Sequence, residues 1–92
     1  ETIHGLRHLM EDYRERIRNE HPRIYSLDLL NTLFKHPYSK IEFLTRDLGK
    51  TRKTAASYLE ELTKTGLLKK EKHGRSSYYI NTPLFELFQG YK

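Results

Sequence analysis

The chain has no cysteine and no tryptophan, one methionine and three prolines among its 92 residues. Without thiols, disulfide staples and thiolate metal sites are excluded, so stability must come from aliphatic and aromatic packing, as suits a reducing compartment such as the cytoplasm. No apolar run approaches the roughly 18 residues that span a bilayer, and no basic segment followed by an apolar one marks a secretory leader. A membrane is therefore not an expected partner. The chain starts at Glu1 rather than methionine, which suggests a processed chain or an excised piece of something longer. Its length suits one small domain, with too little material for a core plus an elaborate catalytic cleft.

Acidic residues are scarce in one place. From Ser39 to Arg75 ten basic residues face five acids, whereas the rest of the chain carries seven of each, so the whole net charge of +5 lies on this stretch. A charge excess confined in this way is expected of a surface that meets a polyanion; a merely solubilising surface is the plainer alternative.

The pattern along the chain predicts five helices and a hairpin. Ile3, Leu6, Met10, Tyr13 and Ile17 recur at alternating spacings of three and four, which predicts a helix over residues 2–20 with one apolar stripe. Gly5 weakens its first turn, and Asp12 with Arg16 and Glu15 with Arg18 are spaced to pair on the exposed face. Pro22 closes this element, and Ser26 is placed to cap a second helix with an apolar face of Leu29, Leu30, Leu33 and Phe34. After His36 and Pro37, Ser39 and Glu42 have the spacing of a capping box, with Tyr38 and Phe43 as its hydrophobic staple. They predict a third helix starting at Ser39, with Ile41, Leu44 and Leu48 inward, ended by Gly49. Thr51 is placed to cap a fourth, with Ala55, Tyr58, Leu59 and Leu62 inward, ended by Gly66. Two extended runs follow, Leu67–Glu71 and Ser76–Ile80, joined by a turn of Lys72, His73, Gly74 and Arg75. Thr82 and Pro83 signal a last short helix carrying Leu84, Phe85, Leu87 and Phe88.

Helix, glycine turn, helix and hairpin together make a mainly α fold with a small β-hairpin: a winged helix-turn-helix preceded by a long N-terminal helix. The expected division is a connecting helix and linker over 1–25 and the winged domain over 26–92. A helix enters the major groove of DNA only where its exposed side chains are short or cationic. With Ala55, Leu59 and Leu62 inward, the fourth helix presents Thr51, Arg52, Lys53, Thr54, Ala56 and Ser57 outward, with Lys50 in the turn before it. Lys72, His73 and Arg75 at the hairpin tip are placed to reach an adjacent groove or phosphates. The expected nucleic-acid residues are thus Lys50, Thr51, Arg52, Lys53, Thr54, Ser57, Lys72, His73 and Arg75. A charged tip also guards an exposed hairpin against edge-to-edge pairing, a purely structural use for Lys72 and Arg75.

No catalytic constellation is present: no nucleophile elbow, phosphate-binding glycine loop or carboxylate pair occurs. His4 and His8 stand one helical turn apart, yet no third ligand has supporting spacing, so no metal or other cofactor is expected. The tyrosines, Tyr58, Tyr78 and Tyr79 among them, suit a core without tryptophan.

Three strings carry a resemblance. His36-Pro-Tyr-Ser-Lys-Ile-Glu-Phe-Leu44, Thr54-Ala-Ala-Ser-Tyr-Leu-Glu-Glu-Leu62 and Ser77-Tyr-Tyr-Ile-Asn-Thr-Pro-Leu-Phe85 resemble the C-terminal winged-helix region of bacterial Fic family proteins. Tyr13-Arg-Glu-Arg-Ile-Arg18 and Ile24-Tyr-Ser-Leu-Asp-Leu-Leu30 resemble the helices that follow their catalytic domain. That family transfers AMP from ATP to protein hydroxyls with a motif His-Pro-Phe, two residues, then Gly-Asn-Gly-Arg. His36-Pro37-Tyr38 echoes its first three residues, but no Gly-Asn-Gly-Arg follows, so no catalytic residue carries over. The resemblance implies a regulatory module, not itself an enzyme, tethered to an AMP-transferring domain. Two uses remain open. One is binding of double-stranded DNA. The other is protein contact, with the stripe Ile3, Leu6, Met10, Tyr13 and Ile17 packing on the module's own core, a second copy or the Fic catalytic domain of the same parent chain.

Overall fold

The stripe from Leu6 to Ile17 lies on a single long helix, α1, spanning Thr2–Glu20. The computed structural model describes residues 2–89, with side chains from Gly5 onward, so the Ile3 and His4 side chains lie outside the described residues. Tyr13 and Ile17 are buried in the core, at 2% and 0% exposure, while Leu6 and Met10 are half-buried. A Cβ at Gly5 would sit 3.0 Å from Leu87 Cδ1, so the bare backbone gives that side chain of the last helix its room. The spacings Asp12 with Arg16 and Glu15 with Arg18 do not become ion pairs. Arg16 turns instead to Glu20 (3.4 Å) and donates to the Thr65 carbonyl (3.0 Å), while Arg14 pairs with Glu11 at 2.8 Å. The Thr65 carbonyl, at the end of a helix and lacking an intrahelical partner, draws Arg16 away from Asp12.

Helix α2, Leu27–Leu33, starts as expected, with Ser26 Oγ accepting the Leu29 N–H at 3.0 Å. Its Leu29, Leu30 and Leu33 are buried, and Phe34 meets Tyr13 edge-on at 5.3 Å. The next start differs from expectation. Ser39 forms no capping box; it lies with Tyr38 in a two-residue strand, β1, paired to Tyr79. Helix α3, Ile41–Leu48, therefore begins one residue later, with Lys40 at the cap and no side-chain cap bond. The distant strand claims the backbone of Ser39 and extends it, and its hydroxyl is left buried without a partner. The contact between Tyr38 and Phe43 does form, at 5.9 Å between centroids.

Gly49, at φ 68°, ends α3 in the left-handed conformation that a side chain would resist. Helix α4, Arg52–Lys64, then opens on Thr51, whose Oγ1 accepts the Thr54 N–H at 3.2 Å. It closes in a Schellman turn: the Gly66 N–H reaches the Thr63 carbonyl (3.1 Å) and the Leu67 N–H the Leu62 carbonyl (3.0 Å). Leu62 and Leu67, which normally touch in this motif, are both buried. Helix α1 seals the same turn from outside. Tyr13 Oη donates to the Leu67 carbonyl (2.5 Å), Arg16 to Thr65, and His21 bridges Thr65 Oγ1 (2.9 Å) and Glu61 (3.2 Å).

Because Leu67 and Leu68 turn into the core, strand β2 begins only at Lys69 and runs to His73. Strand β3 is Ser76–Ile80, and His73 pairs with Ser76, so the turn is Gly74–Arg75 and not the expected four residues. Lys72 and His73 belong to the strand. The antiparallel sheet has the order β1-β3-β2, one strand more than the expected hairpin. Helix α5, Thr82–Gln89, is capped by Asn81 Oδ1 on the Leu84 N–H (3.3 Å) and rests on α1. The whole is a helix-turn-helix pair, α3 and α4, flanked by a small sheet and preceded by a long helix: a winged-helix-like arrangement. No described helix is long and apolar enough to cross a membrane.

Candidate nucleic-acid interface

Ala55, Leu59 and Leu62 of α4 are fully buried, and this fixes what the helix shows to solvent. Thr51, Arg52, Lys53 and Ser57 are exposed, Lys50 stands exposed in the preceding turn, and Thr54 is half-buried. Thr51 and Thr54 are partly engaged in building the helix start, since the Thr51 hydroxyl takes the Thr54 N–H and donates to Thr54 Oγ1 at 3.1 Å. The first turn of α4 holds no acid, and Arg52 and Lys53 occupy it. Cations there oppose the positive end of the helix dipole, at a cost of about 0.3–1 kcal/mol each at low ionic strength. Such placement does not serve the stability of the helix.

The hairpin supplies exposed Lys72, His73 and Arg75. His73 stands 3.4 Å from Glu71 and edge-on to Tyr78. Arg75 and Arg52 face one cleft of about 110 Å³, also lined by Lys40, Ile41, Glu42, Ser76 and Ser77. The start of α4 and the hairpin thus converge, although more than twenty residues separate them. Within the cleft Glu42 lies 3.3 Å from Arg52. Its carboxyl is held below the usual carboxylate range by a hydrogen bond to its own backbone, then by Arg52 and Lys40. Lys40 sits over the Tyr78 ring at 5.1 Å.

Two acids in the second half of α4 bound this face. Glu60 accepts from Lys70 (2.7 Å) and from Tyr79 Oη (3.0 Å), and these partners, Lys70 foremost, lower its pKa. Tyr79 is correspondingly pushed up, first by burial and then by Glu60. Glu61 meets His21. The acids are thus engaged by β2, β3 and His21 just after α1, and the cationic part of α4 is its first half.

Lys40, Glu42, Ser76 and Ser77 are members of the cleft that no local pattern picks out. The nearest signal is that Lys40 and Arg75 bracket the stretch of excess positive charge. Of the α1 stripe, Tyr13 and Ile17 are committed to the chain's own core. Met10 instead lines a groove of about 580 Å³ between α1 and α2, with Arg7, Glu11, Arg14, Leu27 and Leu30. Leu27 there is 62% exposed. No group of three or more residues able to hold a metal occurs among the described residues.

Residues 9–84 match the family described as protein adenylyltransferase SoFic-like, C-terminal domain. The chain belongs to this family. The match runs from within α1 to within α5, so it covers the helix-turn-helix pair, the cleft and the hairpin. In this SoFic-like C-terminal domain the His36-Pro37-Tyr38 triplet has a structural place. It leads into β1, His36 stacks on Tyr38 at 5.5 Å, and the Pro37 carbonyl accepts the Asn81 N–H at 2.9 Å.

Proposed function

We propose that this SoFic-like C-terminal domain binds double-stranded DNA. The first half of α4 would lie in the major groove and the hairpin tip on the neighbouring backbone, so as to locate or regulate the adenylyltransferase domain of the same parent chain. In this reading the domain does no chemistry; AMP transfer belongs to the rest of the parent. One observation carries the proposal: Arg52 and Lys53 stand exposed in a first turn where they oppose the helix dipole, and Arg52 shares a cleft with Arg75 of the hairpin. Short side chains at Ala56 and Ser57 leave room for close approach to base edges.

Titration of labelled duplex by fluorescence anisotropy tests this. Binding that weakens steeply between about 50 and 200 mM salt is the expected result, because phosphate neutralisation releases counterions. Absence of binding at the lowest salt would sink the proposal.

A second reading is favoured by the groove at the seam of α1 and α2. An exposed Leu27 beside Met10 and Leu30, rimmed by Arg7 and Arg14, is a surface for contact with the adenylyltransferase domain or with a second copy. Sedimentation of the 92-residue chain, alone and mixed with a separately expressed adenylyltransferase domain, tests it. Leu27→Asp is expected to abolish any association seen. Association untouched by that change would mean that the groove is not the contact surface.

A further inference from the structure

We infer that Glu42 is a specificity-determining residue of the α4 cleft: it suppresses binding to DNA of arbitrary sequence by holding Arg52 and by repelling backbone phosphate. The inference rests on the DNA-binding reading above.

The cleft gathers Lys40, Arg52 and Arg75 with the neighbouring Ser76 and Ser77, a set of cations and hydroxyls suited to a phosphate. Glu42 is the one acid in that lining among the described residues. Both it and Arg52 are well exposed, at 58% and 67%, so their ion pair contributes little to the fold. Its effect falls on ligands. A phosphate entering beside Arg52 must displace the carboxylate or sit against a like charge, whatever the DNA sequence. A guanine edge differs, because O6 and N7 are neutral acceptors that Arg contacts in pairs. Arg52 engages Glu42 through Nη1, and the guanidinium has further N–H donors for such an edge. Specificity is a difference of affinities, and an acid that penalises the non-specific complex more than the specific one widens it.

The test uses the 92-residue chain, its Glu42→Gln variant and a Glu15→Gln control that removes the same charge from α1. Each is titrated with random-sequence duplex and with a duplex selected from a random pool by the unmodified chain. Glu42→Gln is expected to bind random duplex about threefold or more tightly, with a salt slope steeper by about one contact. The preference for the selected duplex should shrink, and the melting temperature should fall by no more than the few degrees that loss of one first-turn acid accounts for. Random-duplex binding that is unchanged or weaker in Glu42→Gln, or raised equally in Glu15→Gln, overturns the inference. If Arg52→Ala loses DNA while Glu42→Gln changes nothing, only this inference fails. If no form binds at the lowest salt, the DNA-binding reading itself fails.

Discussion

Helices α3 and α4 are consecutive and pack on each other, and each follows a cap residue in extended conformation, Lys40 at φ −134° and Thr51 at φ −70°. Their inner faces are alike, for Leu44 in one and Leu59 in the other are completely buried. Their first turns are opposite in charge, although each helix ends on a base, Arg46 in α3 and Lys64 in α4. Helix α3 follows the dipole, with Glu42 in its first turn and Arg46 in its last, whereas α4 has Arg52 and Lys53 in its first turn and no acid there. Burial dictates what the two helices share. What distinguishes them is set on the solvent side, where the first turn of α4 gives up a favourable charge arrangement, and the proposed DNA contact rests on that difference.

The shared part is broken most easily. Leu44→Ala and Leu59→Ala should each cost about 2–5 kcal/mol, read from denaturant unfolding, because both leave a cavity in the same core. Near-equal losses support the equivalence of the inner faces, and a large inequality argues against it.

The two helices are also fastened differently. Helix α3 is tied to α2 by Asp47, whose carboxylate accepts from Arg46 (2.9 Å), Lys35 (2.9 Å) and Thr32 (3.1 Å). Arg46 first, then Lys35, holds that carboxyl far below its usual range. A depressed carboxylate pKa stabilises the fold above the unfolded value of about 4, and the benefit is lost as pH falls below it. Asp47→Asn should therefore lower the melting temperature at neutral pH, with the gap to the unmodified chain closing in acid. A gap independent of pH would mean that packing, not charge, ties α3 down.

Helix α4 is fastened at its C-terminal turn by α1. Tyr13→Phe removes the hydrogen bond to the Leu67 carbonyl and should cost about 1 kcal/mol. Burial pushes the Tyr13 hydroxyl up to about 12, so it stays a neutral donor at ordinary pH. A raised pKa of this kind gives stability that is full below the unfolded value of about 10 and fades as pH rises through 12. In Tyr13→Phe that alkaline loss should diminish in thermal melts.

The smallest effect concerns charge alone. Lys53→Glu should stabilise the chain by about 0.3–1 kcal/mol at low salt, since it places an acid where the dipole favours one. The same change should abolish DNA binding. Destabilisation by Lys53→Glu would mean that the first turn of α4 is not at odds with its dipole.

Much of this was legible in the sequence because it is local. The α1 helix with Tyr13 and Ile17 on its buried face follows from a local period, the Ser26 and Thr51 caps and the glycine that ends α3 act within a few residues, and the structure shows each of these. What was not legible depends on partners far along the chain. Ser39 and Glu42 carry a genuine capping-box spacing, but Ser39 pairs with Tyr79, forty residues away, and the strand prevails over the cap. Arg16 likewise leaves Asp12 for Thr65, a residue its own helix gives no hint of. The cleft is non-local in the same way: Arg52 and Arg75 are both visible as basic residues, yet only the folded hairpin brings them to Glu42 and Lys40.

On the proposed function, the first turn of α4 serves a ligand at the expense of the helix. Arg52→Ala combined with Lys53→Ala, followed in parallel by duplex titration at low salt and by thermal unfolding, addresses it most directly. The expected result is a loss of DNA affinity of at least tenfold, with a salt slope shallower by about two contacts and a melting temperature unchanged or slightly higher. Unchanged affinity together with a lower melting temperature would contradict it.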